Sequence, residues 1–182
     1  GLEKLTKLKK LYLGVCFNLQ RMNGIEKLVN LTQLNLHNCE NLQNIEGLKN
    51  LSKLFILSLT YCKSIQNVDQ LSNLTRLSKL DLSFCKNIQN VNGISKLTNL
   101  TELYLYDCRN LQNVDGLLNM TKLSKLDLRN CKSIKNVDGL SNLTKLIKLD
   151  FFHCHNLQNV NGLANLTKLT KLSLDGCKKL KN

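Results

Sequence analysis

The chain has 182 residues, 42% of them hydrophobic, with no proline and no tryptophan. That composition is too apolar for a disordered chain, and no apolar run approaches the roughly 18 residues a membrane-spanning helix needs. Lys plus Arg number 26 against 13 for Asp plus Glu, and the net charge of +13 invites a polyanion partner only if a surface gathers those charges.

Cysteine reveals the organisation. Cys16, Cys39, Cys62, Cys85, Cys108, Cys131, Cys154 and Cys177 stand 23 residues apart throughout. A constant period between about 20 and 50 residues marks a solenoid, in which each unit buries its apolar face only by stacking on its neighbours. The chain therefore reads as about eight coils over residues 1–182. Both ends fall mid-pattern, as expected of a fragment without dedicated caps.

Within a coil the elements follow in a fixed order. Apolar residues recur 3, 6, 9, 12, 15, 18 and 20 positions after the cysteine, as in Leu42, Ile45, Leu48, Leu51, Leu54, Leu57 and Leu59. Asparagine five positions on (Asn44, Asn67, Asn90, Asn113, Asn136, Asn159 and Asn182) predicts a buried ladder that satisfies loop backbone groups. Glycine eight positions on, broken only by Gln70, follows an Asp or Asn in Asp115-Gly116 and Asp138-Gly139. That pairing predicts a cap on a single turn of tight helix. The closing Leu-x-Leu has the period of a strand, and one strand is predicted near residues 125–128 with its seven equivalents.

The segment Leu123-Ser124-Lys125-Leu126-Asp127-Leu128-Arg129-Asn130-Cys131-Lys132-Ser133-Ile134 resembles the leucine-rich-repeat signature L-x-x-L-x-L-x-x-C-x-x-L, in its cysteine-containing form. The other half of the coil, Val137-Asp138-Gly139-Leu140-Ser141-Asn142-Leu143-Thr144, resembles the convex segment of internalin-type repeats. The resemblance covers essentially the whole chain. It implies an α/β-type solenoid: a right-handed horseshoe with a parallel sheet on the concave face and short 3-10 turns or loops on the convex face. It also implies a binding protein, with a partner that differs from one family member to the next.

The cysteines predict a buried column of free thiols rather than disulfides, because side chains stacked at one register point in parallel. Clustered pairs such as C-x-x-C, usual at metal sites, are missing, and no cofactor is expected. Eight unpaired thiols favour a reducing, cytoplasmic compartment, although buried thiols survive elsewhere. His37, His153 and His155 form no catalytic constellation with a nucleophile, so an enzyme is not expected.

Function is predicted on the strand positions whose side chains point away from the core. There the repeat abandons its own consensus, and all four tyrosines lie there together with Phe84 and Phe152. The expected partner-binding residues are Tyr12, Gln33, Asn35, His37, Ile56, Tyr61, Lys79, Phe84, Glu102, Tyr104, Tyr106, Arg129, Phe152 and His153. Six basic and six acidic residues cancel on this face, and Arg129 reads as a free surface cation whose loss costs well under 1 kcal/mol. Two edge columns carry part of the positive excess. Lys7, Lys53, Arg76, Lys122, Lys145 and Lys168 precede the strands, and Lys63, Lys86, Arg109, Lys132 and Lys178 follow the cysteines. Only Phe17 interleaves them with an aromatic ring, so a solubilising rim is the simpler reading. The leading expectation is a non-enzymatic module that binds a protein or peptide on the concave face. A polyanion on the basic edges, whether nucleic acid, sulfated glycan or anionic lipid, is the alternative, and a consensus-like scaffold without a natural ligand is the third.

Overall fold

The computed structural model describes residues 1–181. Eight three-residue strands form one parallel sheet in simple sequence order: β1 (Lys10–Tyr12), β2 (Gln33–Asn35), β3 (Ile56–Ser58), β4 (Lys79–Asp81), β5 (Glu102–Tyr104), β6 (Lys125–Asp127), β7 (Lys148–Asp150) and β8 (Lys171–Ser173). Neighbouring strands pair with a shift of one whole repeat, so Leu103 faces Leu126 and Leu126 faces Leu149. Equal coils leave no other register, because a slip of one residue would turn the leucines outward.

The opposite wall consists of short 3-10 turns such as Asp115–Leu117 and Asp138–Leu140. With 23 residues per coil there is no room for longer helices. Among the described residues, no helix is long and apolar enough to cross a membrane. The architecture is that of a leucine-rich-repeat solenoid, as the sequence implies.

Between the walls runs one continuous leucine core. In the central coil Cys108, Leu111, Val114, Leu117, Met120, Leu123, Leu126 and Leu128 are all at most 1% exposed, one side chain for each predicted inward position. Burying a leucine contributes roughly 1.5–3 kcal/mol, so these ladders dominate the stability. In the outermost coils the same positions are half-covered: Leu8, Leu11, Leu169 and Leu174 pack on the core from one side only.

Two polar columns depart from expectation. The asparagines five positions after the cysteines are not buried; Asn44, Asn67 and Asn90 are exposed. Their side chains instead accept the backbone N–H two residues on, at 2.8 Å from Glu46 to Asn44, 3.1 Å from Asn92 to Asn90 and 3.2 Å from Asn161 to Asn159. Each is an Asx-type turn that steers the chain into the 3-10 segment. Asn182 lies outside the described residues. The Asp or Asn before the glycine is therefore not the cap. Asp115 and Asp138 are the first residues of their 3-10 turns, and the preceding position is Val114 or Val137, whose side chain cannot cap.

The glycine column has a steric cause. A Cβ at Gly116, Gly139 or Gly162 would collide with the carbonyl group of Val91, Val114 or Val137 in the preceding coil. Gln70 escapes this rule, and the coil before it carries a five-residue 3-10 segment, Glu46–Asn50, in place of the usual three.

The cysteines are free, and those from Cys39 to Cys154 are buried. Each thiol from Cys39 onward donates to a carbonyl of the coil before it: Cys62 to Leu36 at 3.2 Å, Cys108 to Leu82 at 3.2 Å and Cys131 to Leu105 at 3.1 Å. The column thus caps strand ends in place of an amide. Burial pushes the Cys62 and Cys154 thiols up to about 12, and raises those of Cys85, Cys108 and Cys131 well above the ordinary range. Protonated, enclosed thiols of this kind are poor nucleophiles and react slowly.

Candidate functional site

The sheet's open face presents the first and third side chains of each strand and those of the two residues before each cysteine, and the structure brings a subset of the expected residues together there. The ring of Tyr61 stacks on Phe84, with centroids 3.9 Å apart and planes 10° from parallel. Phe84 meets Tyr106 edge-on at 4.7 Å, and the guanidinium of Arg129 lies 4.8 Å above the Tyr106 ring. One array therefore crosses four successive coils. Beside it Tyr104 sits between two ammonium groups, Lys79 at 5.1 Å and Lys125 at 4.8 Å. Its hydroxyl donates to Glu102 Oε2 at 2.6 Å, and Lys79 pairs with the same carboxylate at 3.2 Å. That hydroxyl bond first, and the lysines second, hold the Glu102 carboxyl below its usual range despite partial burial.

Other expected residues stand apart from this array. Tyr12 is 58% exposed on β1, Gln33 lies on β2 and Ile56 on β3. Asn35 accepts the backbone N–H of His37 at 2.9 Å, and the His37 ring lies where a Cβ on Gly14 would be. At the far end Phe152 packs against His153 at 4.0 Å, and His153 Nδ1 is 3.2 Å from His155 Nε2. Among the described residues, no three His, Cys, Asp or Glu side chains are grouped to hold a metal ion.

The residue just before each cysteine has a left-handed backbone: Val15, Asn38, Tyr61, Phe84, Asp107, Asn130 and His153 have φ between 58° and 62°, and Gly176 has 75°. This conformation turns the chain so that the following cysteine enters the core. It also lets the residue's own N–H reach the next coil, as in Tyr61 to Ser83 at 2.8 Å and Phe84 to Tyr106 at 2.6 Å. Gly, Asn and Asp adopt it readily, whereas a larger L-residue is strained by roughly 1–2 kcal/mol. The signal was present in the sequence, since four of the eight residues at this position are Asn38, Asp107, Asn130 and Gly176. Tyr61 and Phe84 carry the stacked rings at this costly position.

Several acidic residues expected to face solvent are tied into the scaffold. Asp107 is 2% exposed and Asp127 8%. Arg109 Nε holds Asp107 at 2.8 Å, and Arg129 reaches Asp127 through Nη2 at 2.6 Å and Asp150 through Nε at 3.9 Å. Arg129 is thus not a free surface cation; it is clamped on a buried carboxylate and an aromatic face. Asp81, Asp127 and Asp150 each also accept the backbone N–H two residues on, at 2.9, 3.1 and 3.0 Å.

The edge before the strands also differs from expectation. Phe55, 54% exposed, lies in a shallow groove with Lys53, Arg76 and Lys122, so an aromatic ring does interleave that basic column. Lys53 and Lys122 donate to the side-chain oxygens of Asn30 and Asn99 at 2.7 and 2.6 Å.

Comparison with known proteins agrees with this geometry. The family described as BspA type leucine rich repeat region matches in six copies, over residues 2–112 and 58–181. The chain belongs to that leucine-rich-repeat family. No curated protein matches it. Among solved structures, an internalin (inlF) from Listeria monocytogenes superposes with a TM-score of 0.80 at 29% identity, over 94% of this chain and 49% of that one. An internalin C2 (inlC2) from the same organism gives 0.70 at 23%, over 93% of this chain and 82% of that one. A leucine-rich-repeat protein of Leptospira interrogans gives 0.69 at 22%, over 96% and 50%. The chain spans about half the length of the first and third of these. Leucine-rich-repeat folds commonly mediate protein binding, with the extended concave face of the solenoid as the contact surface. The repeat fold recurs in 282 matching chains of solved structures, so it does not by itself name a ligand.

Proposed function

We propose that this leucine-rich-repeat chain is a non-enzymatic module that binds a folded protein or a peptide on its strand face, with the contact centred on Tyr61, Phe84, Tyr104 and Tyr106. The observation that carries this reading is the position of Tyr61 and Phe84. A stack serving only the sheet's own stability would sit on strand positions with relaxed backbone. These two rings occupy a left-handed position where Asn or Gly would cost less. Aromatic rings held rigid and open to solvent on a polar face are typical of binding hot spots. Tyr12, His37, Phe152 and His153 lie farther along the same face and would meet the outer parts of a large partner.

The groove around Phe55 supports a second reading, a polyanion bound along the edge column Lys53, Arg76 and Lys122. A 2 × 2 comparison separates the two. A protein captured on the immobilised chain is purified, and its affinity is measured for a Phe84→Ala, Tyr104→Ala, Tyr106→Ala variant and for a Lys122→Glu, Lys145→Glu, Lys168→Glu variant. Both are titrated at roughly 50 and 200 mM salt, a range over which counterion release is large. The strand-face reading requires the aromatic variant to lose most affinity and the lysine variant to retain it. If the aromatic variant binds like wild type and the lysine variant does not, the strand face is not the site.

A further inference from the structure

On the strand face the charges cancel in number but not in availability. Parallel in-register stacking places the first residue of each strand directly beside the first residue of the next, so Lys125 faces Lys148 and Lys148 faces Lys171. Three ammonium groups thus stand in file at strand spacing, about 4.8 Å per coil. Like charges directly opposite one another on a sheet are destabilising. Among the described residues, none of the three has a carboxylate within ion-pair distance, whereas Lys79 has Glu102 and Arg129 has Asp127. Lys125, at the start of the file, has Glu102 as its other in-register neighbour and lies over the Tyr104 ring, so Lys148 and Lys171 are the file's least compensated members.

The neighbouring acidic file offers these lysines little. Asp127 and Asp150 lie two residues farther along their strands, about 6.7 Å away. Each is held by a backbone N–H and by Arg129. The face therefore has an aromatic half on coils three to five and, on strands β6 to β8, a lysine file in which Lys148 and Lys171 have only like charges as in-register neighbours.

We propose that Lys125, Lys148 and Lys171 form the docking row for a single file of carboxylates on the protein partner, with an apolar side chain of the same segment reaching the Tyr61–Phe84–Tyr106 array. This rests on the strand-face reading above and adds the polarity and direction of the partner. A protein segment fits better than a uniform polyanion. Charges spread over the full width of a nucleic acid or sulfated glycan would also lie over Asp127 and Asp150. An acidic edge of a strand or helix running along the solenoid axis meets the lysine file alone.

The test uses two synthetic peptides, one with a tryptophan followed by a run of glutamates and one with every Glu replaced by Gln, and a heparin oligosaccharide as the uniform polyanion. Calorimetric titration of the wild-type chain at low salt is expected to show the glutamate peptide binding about tenfold or more tightly than the glutamine peptide. A Lys148→Gln, Lys171→Gln variant should bring that ratio to about one, while the edge variant at Lys122, Lys145 and Lys168 leaves it intact. Both altered lysines are exposed, and circular dichroism checks the fold.

The proposal is overturned if the ratio is near one on the wild type, if neither peptide binds at millimolar concentration, or if the double variant leaves the ratio unchanged. It is equally overturned if heparin binds through the same two lysines more tightly than the peptide does. The aromatic triple variant distinguishes failures. If it weakens both peptides alike while the ratio is one, only the acidic-file inference falls. If it changes neither peptide's affinity, the strand-face reading falls with it.

Discussion

Tyr61 and Phe84 belong to different coils, yet their rings stack at 3.9 Å because both precede a cysteine and share the same left-handed turn. The turn aims each side chain along the solenoid axis toward its neighbour. The strain at this position and the aromatic display are therefore one feature, and replacing either ring tests both.

Relief of that strain should be measurable where no stack compensates it. Val15 is β-branched, 48% exposed and at φ 62°. Val15→Asn is expected to raise stability by about 1 kcal/mol in urea unfolding, and Asn38→Val to lower it by a similar amount. Phe84→Asn should leave stability near wild type, since the strain relieved offsets the stack lost, while binding at the strand face falls. A lower midpoint for Val15→Asn would show that the left-handed turn is not where strain resides.

The two faces of a strand should separate cleanly by mutation. Leu126→Ala, at a position 1% exposed in the central core, is expected to cost about 2–5 kcal/mol. Lys148→Gln, on the open face between two like charges, should raise the melting temperature slightly. Arg129→Ala falls between them. It strips the cation from Asp127, which is 8% exposed, and should cost about 1–3 kcal/mol rather than the small loss expected of a free surface residue.

The thiol column predicts both reactivity and pH dependence. Native protein should react slowly with a thiol reagent at pH 8, with Cys16 and Cys177 ahead of the six buried cysteines, and denatured protein should react in full. The folded state raises these thiols from about 9 toward about 12, as at Cys62 and Cys154. Between those values the unfolded chain releases protons that the native chain keeps. The thiol contribution is therefore fully present below pH 9 and is lost as pH rises toward 12. Chemical denaturation at pH 8, 9, 10 and 11 should show stability falling through that series. A flat profile would mean the thiols are not enclosed.

Close approach of coils at the glycine column gives a further check. Gly139→Ala should cost about 1–3 kcal/mol, because the new methyl group meets the carbonyl of Val114. Gln70→Ala, where the sequence already tolerates a side chain, should be close to neutral by thermal unfolding.

The 23-residue period determined the solenoid, the strand register and the core, because identical coils can bury seven leucine-type side chains and a cysteine in only one way. The leucine at each inward position and the reduced cysteine column were legible for the same reason. So was the open face, from the positions where the repeat loses its consensus. What those side chains do to one another was decided by stacking in three dimensions. Asn44 and its equivalents look like a core ladder in sequence, yet they point out and cap turns, since the chain reverses just after them. Arg129 reads as one exposed charge among twelve, yet it folds back on Asp127 two residues before it, and the parallel register sets Asp150 of the next coil beside that pair. A sum over the strand face gave no net charge. Only the register shows that Asp81, Asp127 and Asp150 are engaged by backbone amides, the latter two also by Arg129, while Lys148 and Lys171 stand beside like charges without an ion-pair partner, because a charge is neutralised by what lies within a few ångströms and not by the total.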